Sequence, residues 1–249
     1  TALVAGTASF TASLNTAGGT TNYTITANND TDNVIASGTS SNIRIAAGAF
    51  TKLLTVFPGE TFAPGSPNGK TGTPTAPIYG VNYVATVYAV DAYWNKATAP
   101  NPTSIELSAI GVTNFTAPAA NTLATSGSAI NSRTFNLVFR TIGETPTVTA
   151  TNNTDGTKTA YTQLLPAVTA GAFVKLQLLL PGEVAAPGTP TGKTSALPIA
   201  QAVGTSFDVT VNAVDANWNV VSSVTDVVAI TNSVASDAAT SLSVSYTHL

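Results

Sequence analysis

Apolar and polar residues alternate with a period of two along several stretches of the chain. In Tyr83-Val-Ala-Thr-Val-Tyr-Ala-Val90 one face reads Tyr, Ala, Val, Ala, and in Phe207-Asp-Val-Thr-Val-Asn-Ala-Val214 it reads Phe, Val, Val, Ala. The opposite faces mix Val with Thr, Tyr, Asn and Asp, which is the pattern of a strand with one face in a core and one toward solvent. The same alternation marks Phe10–Asn15, Phe135–Arg140, Tyr23–Thr26 and Thr147–Ala150, with Thr outward where a β-branched polar side chain suits a pleated, exposed surface. Further strands are expected over 52–57, 104–109 and 159–168. Asn-Asn, Asp-Gly and Pro-Gly turns separate these stretches and no helical period interrupts them. An all-β fold of short antiparallel strands, packed as a sandwich, is the expectation.

The chain also repeats itself. Ala47-Gly-Ala-Phe50 returns as Ala170-Gly-Ala-Phe173, Pro58-Gly-Glu60 as Pro181-Gly-Glu183, Ala63-Pro-Gly65 as Ala186-Pro-Gly188 and Gly69-Lys-Thr71 as Gly192-Lys-Thr194, all at an offset of 123 residues. Ala89-Val-Asp91 with Trp94-Asn95 returns as Ala213-Val-Asp215 with Trp218-Asn219 after a one-residue insertion. Ile25–Asp30 lines up with Val148–Asn153, and Phe10–Leu14 with Phe135–Phe139. Cutting before Ala-Gly-Ala-Phe predicts the C-terminal part of one repeat over 1–46, a complete repeat over 47–169 and the N-terminal part of a third over 170–243. The terminal repeats are then incomplete, and their open edges are expected to fray or to associate.

Composition narrows the chemistry. The 249 residues include no Cys, no Met and a single His, and only 8% are charged. Without cysteine there is neither a disulfide framework nor a thiolate nucleophile. Nine Lys and Arg against twelve Asp and Glu, a net charge of −3, give no basic stripe for a phosphate backbone, so no nucleic-acid partner is expected. No apolar run approaches the ~18 residues of a membrane span, so no membrane insertion is expected within these residues. A chain without methionine is expected to be a fragment. Val244-Ser-Tyr-Thr-His-Leu249 resembles a translated sequencing adapter, which makes 244–249 a non-native tail and sets His248 aside.

The run Phe207-Asp-Val-Thr-Val-Asn-Ala-Val-Asp-Ala-Asn-Trp-Asn-Val220 resembles the strand-turn segment of bacterial Ig-like domains of the invasin and intimin kind, in which an alternating strand ends in an Asp-Ala-x-x-Asn turn. Members of that family usually carry Gly where Trp94 and Trp218 stand. The whole unit is similar to tandem Ig-like repeats of very large bacterial surface and secreted proteins. The resemblance implies an extracellular or cell-surface location and a modular stalk or adhesin, with neighbouring Ig-like repeats as its first partners and a glycan or a host or neighbour-cell surface protein as a further one.

Three features compete for a functional role. Asp91 with Asn95, and Asp215 with Asn219, could offer oxygens to calcium, but a calcium site takes about six or more oxygens and each turn supplies one carboxylate. Asp and Asn are equally the residues a turn selects for bonding to backbone N–H groups two residues on. Trp94 and Trp218 could stack on a sugar ring or cover the end of a core. The Pro/Gly-rich connections over 58–77 and 181–198 exceed the ~12–15 residues beyond which a structureless loop needs a reason, and either contact a ligand or neighbour or carry the first strand between sheets. Gly65-Ser-Pro-Asn-Gly-Lys-Thr71 inside the first imitates a phosphate-binding loop but has one residue too few between its glycines and no helix after it. No His or Cys is left for a nucleophile triad, and the repeated acids Glu60/Glu183 and Asp91/Asp215 occur singly in turns, so no enzymatic activity is expected. The Lys–Asn cross-link that surface-protein Ig domains sometimes form would, by this resemblance, start from Lys52 or Lys175, but the expected last strand, 159–168, contains neither Asn nor Asp to accept it. Non-catalytic tandem Ig-like sandwiches acting as a spacer or stalk are the expectation; a binding module, or a spacer for an extracellular enzyme outside these residues, are the alternatives.

Overall fold

The computed structural model describes residues 3–18, 22–31, 34–124, 130–194 and 197–231. The hexapeptide 244–249 with His248 lies outside them. The described residues form strands and turns without a helix, and the chain divides into two compact units, Thr1–Ala170 and Gly171–Leu249.

In the first unit β1 (Thr26–Ala27) pairs with β2 (Gly38–Thr39). There follow β3 (Lys52–Val56), β4 (Glu60–Phe62), β5 (Lys70–Gly72), β6 (Tyr83–Val90), β7 (Ser104–Ile110), β8 (Asn121–Thr122), β9 (Ser132–Leu137), β10 (Thr147–Asn152) and β11 (Tyr161–Leu164). One antiparallel sheet runs β3-β6-β9 and a second β11-β10-β7-β8. Leu53, Ala85, Val87, Ala89, Phe135 and Leu137 from the first meet Ile105, Leu107, Val148 and Ala150 from the second in one buried cluster, so the two sheets share a core. The inward face of β6 is the alternating set Tyr83, Ala85, Val87 and Ala89, as the pattern of the sequence requires. Threonines face each other across strands where the sheets meet solvent, Thr149 to Thr162 at 3.0 Å and Thr26 to Thr39 at 3.2 Å.

Two expectations change. Phe10–Asn15 forms no strand, and Phe10 and Leu14 are exposed; none of the described strands pairs with this stretch, whereas Phe135, its counterpart, is covered by β6. The Pro/Gly-rich connection, read as a loop that contacts a ligand or neighbour or as a crossover of the first strand between sheets, forms a hairpin of its own, β4 with β5, with Glu60 opposite Gly72 and Phe62 opposite Lys70. This hairpin folds over the outer face of the first sheet. Phe62 stacks on Tyr88 at 4.6 Å, and a Cβ on Gly69 would sit 2.9 Å from Leu54 Cδ2, which is why outward-pointing Leu54 is buried.

In the second unit β12 (Lys175–Leu179) pairs with β13 (Thr210–Val214), Lys175 opposite Val214. Leu176, the counterpart of buried Leu53, is 47% exposed. Leu53 owes its burial to strands drawn from residues 104–168, and no described segment of the second unit takes their place.

Candidate functional site

The turn after β6 is built on one carboxylate. Asp91 is buried, and its oxygens accept from the N–H groups of Gly48 (2.8 Å), Tyr93 (2.9 Å) and Asn95 (2.9 Å) and from Asn95 Nδ2 (3.2 and 3.0 Å). Burial alone would push the Asp91 carboxyl up, but the donors from Asn95, Gly48 and Tyr93 outweigh it and hold the group below the ordinary carboxylate range. The backbone closes the same turn, with Asp91 N–H donating to Asn95 O at 2.9 Å and Trp94 N–H to Asp91 O at 3.2 Å. The Ala-Gly-Ala-Phe signature therefore has a physical purpose: Gly48 brings its N–H onto the carboxylate of a turn 43 residues away. Asn95 uses its other valences on the chain's first segment, donating from Nδ2 to Asn15 O (2.9 Å) and accepting at Oδ1 from Ala17 N–H (2.8 Å).

The second unit repeats this geometry. Asp215 accepts from Gly171 N–H (2.9 Å), Asn217 N–H (2.8 Å), Asn219 N–H (2.9 Å) and Asn219 Nδ2, and burial opposed by these donors again leaves its carboxyl lowered. A cation would have to displace this whole set of N–H donors from either carboxylate. Among the described residues no three His, Cys, Asp or Glu side chains stand close enough together to hold a metal. Asp155 sits in a turn of its own, bonded to Thr157 and paired with Lys158 at 3.1 Å.

Trp94 and Trp218 occupy the left-handed region, φ 66° and 68°, where a side chain ordinarily costs about 1–2 kcal/mol relative to glycine. Here packing holds the indole. Trp94 Nε1 donates to Pro67 O at 3.0 Å, Lys52 Nζ stands 3.3 Å from the ring centroid while donating to Ala92 O, and a Cβ on Gly69 would strike Trp94 Cβ at 2.8 Å. Trp218 is tied likewise to Pro190 O (3.3 Å), Lys175 (3.4 Å) and Gly192. A ring whose N–H is bonded and whose face carries an ammonium is a poor platform for a sugar. Desolvation lowers the Lys52 ammonium from its ordinary value, with the Asp91 charge opposing.

A third cluster lies beneath the hairpin. Lys70, 8% exposed, donates to Glu60 Oε2 (2.8 Å), to Thr55 O (3.1 Å) and to Gln163 Oε1. Gln163 Nε2 donates to Glu60 Oε1 at 2.7 Å, and Phe57 N–H to Glu60 Oε2 at 2.9 Å. A buried ion pair survives only with its remaining valences filled, and here they are. Sequence reasoning placed Glu60 alone in a turn and Lys70 in a failed phosphate loop. The signal was the repeated spacing, since Glu183 and Lys193 stand the same ten residues apart and pair at 2.7 Å.

A cleft of about 520 Å³ in the first unit is lined by Ala17, Ile45, Phe62 and Pro64 together with Arg44 and Lys96, and brings no acid and base together. No described helix is long and apolar enough to cross a membrane. Compared with protein-family models, curated proteins and solved structures, the chain matches none.

Proposed function

We propose that this chain is a run of tandem Ig-like sandwiches, incomplete at its ends, which serves as a non-catalytic spacer or stalk in a bacterial cell-surface or secreted protein with a role in adhesion. The observation that carries the reading is how the duplicated polar residues are spent. Asp91 and Asp215, Asn95 and Asn219, Trp94 and Trp218 bond to their own turns and to the loops that cover them, with equivalent carboxylate and indole bonds in each unit. Residues retained through duplication and directed inward serve the fold, and a module whose parts serve the fold contributes length and stiffness, each complete repeat burying its own core. Neighbouring repeats are the partners this reading requires.

The test is Trp94→Ala with Trp218→Ala in the full chain, measured for binding to immobilised glycans and cell-surface extracts and for thermal unfolding. The expected result is a lowered melting temperature and no saturable binding to lose. Saturable binding by the parent chain that disappears in the variant at unchanged melting temperature would overturn the spacer reading in favour of a binding module.

A further inference from the structure

Under the hairpin an amine, a carboxamide and a carboxylate meet away from water. The Lys70 side chain is 7% exposed and that of Glu60 2%. Lys70 Nζ contacts Gln163 Oε1, and Glu60 bridges the two, one oxygen 2.8 Å from Nζ and the other 2.7 Å from Gln163 Nε2. The orientation of the amide is forced, because an ammonium only donates and a carboxylate only accepts. The rings of Tyr161 and Phe57 stand 4.9 and 5.8 Å from Nζ. The spacer role needs none of this, and a hydrophobic pair of similar volume would fill the space without the cost of desolvating two charges.

We propose that Lys70 and Gln163 join through an intramolecular isopeptide bond, with Glu60 as the proton relay. Glu60 takes a proton from the Lys70 ammonium across their 2.8 Å contact. The freed lone pair on Nζ forms a bond to Gln163 Cδ. Oε1 gains negative charge and keeps the Tyr161 hydroxyl as a donor, 3.4 Å away before reaction. Glu60 passes its proton to Nε2, the Cδ–Nε2 bond breaks, and ammonia leaves with the surplus proton from Nζ as ammonium. Nothing is oxidised or reduced, and Glu60 ends as the carboxylate it began. Both proton transfers lie within the 2.6–3.2 Å reach that general acid–base catalysis requires, and holding amine and amide in contact replaces a bimolecular encounter. The bond would tie β5 to β11 across 93 residues of chain. Ser40 occupies the position equivalent to Gln163 in the first segment, which therefore offers no amide for the same bond.

The experiment is intact-mass spectrometry of the purified, denatured 249-residue chain, with a protease digest searched for the Lys70 and Gln163 peptides joined. The expected result is a mass lower than that of the sequence by one ammonia, with the joined pair recovered. Asn68-Gly69 can also lose ammonia by closing to a succinimide, so a loss confined to that peptide, or a chain of full sequence mass, overturns the proposal. Lys70→Arg keeps a cation beside Glu60 but removes the nucleophile, and is expected to retain parental circular dichroism and full mass. The same ammonia loss in that variant overturns the proposal as well. Glu60→Ala is expected at full mass; should it fail to fold, the parent chain and Lys70→Arg decide alone. Each outcome is independent of whether the chain is a spacer.

Discussion

Replacing Asp91 by Ala withdraws the acceptor from three backbone N–H groups and from the Asn95 amide at once. Tyr93 and Gly48 are exposed, and water replaces much of what they lose. Asn95 is 3% exposed, and neither its N–H nor the free proton on Nδ2 has a substitute. An unsatisfied buried donor costs about 1–3 kcal/mol, so Asp91→Ala is expected to destabilise the first unit by about 3–5 kcal/mol, a large part of an ordinary domain's stability. Asp91→Asn keeps one acceptor oxygen but turns an NH2 toward Gly48 N–H, and falls between the two. Urea unfolding followed by tryptophan fluorescence measures this, with Trp218→Phe as the background so that Trp94 alone reports. The pH dependence is a second check. The folded carboxyl of Asp91 is lowered relative to the unfolded chain, so its contribution is complete above the unfolded value of about 4 and is lost as pH falls through the folded value. The gap between parent and Asp91→Asn should therefore be wide at neutral pH and narrow on acidification below about pH 4. A cost for Asp91→Ala under about 1 kcal/mol, less than a single lost buried donor, or a gap that does not change with pH, would mean that the Asp91 carboxylate does not hold this turn.

Two further outcomes are expected. The Thr55 hydroxyl is buried without a hydrogen-bond partner, so Thr55→Val, nearly the same shape, should stabilise the first unit by about 1 kcal/mol in the same urea assay. Burial, opposed by its bond to Thr75 O and reinforced by the Glu60 charge, pushes the Tyr83 hydroxyl up to about 12. In an ultraviolet titration one tyrosine should resist ionisation until about pH 12 and be missing in Tyr83→Phe. Because the folded value is the higher, the stability this group contributes is full below the unfolded value of about 10 and declines as pH rises toward the folded one.

The strand Tyr83–Val90 was legible to its last residue, and so was the inward face of β10, because burial on one side of a pleat imposes a period of two on the residues themselves. The Asp-to-Asn turn was legible too, as a local bonding pattern spanning five residues. Phe10–Asn15 carries the same alternation and is not a strand, since alternation shows that a segment can pair and says nothing of whether a partner is within reach. The β4–β5 hairpin was hidden among prolines and glycines whose turn chemistry reads as loop, and its burial rests on Leu54 and Tyr88, which no local pattern links to it.

The period, the turns and the duplication can be read from the chain alone, because all of them are properties of neighbours along the chain or of one stretch compared with another. Tertiary structure decided which polar side chains lose their water and to whom they turn. Gly48 finds Asp91 across 43 residues, and Lys70 finds Gln163 across 93. Such meetings depend on how the sheets stack and where the hairpin folds back, and they are selected by the summed burial of the core rather than by any residue on its own. That is why Lys70, read as part of a failed phosphate loop, becomes the most chemically distinctive side chain of the first unit once the hairpin has closed over it.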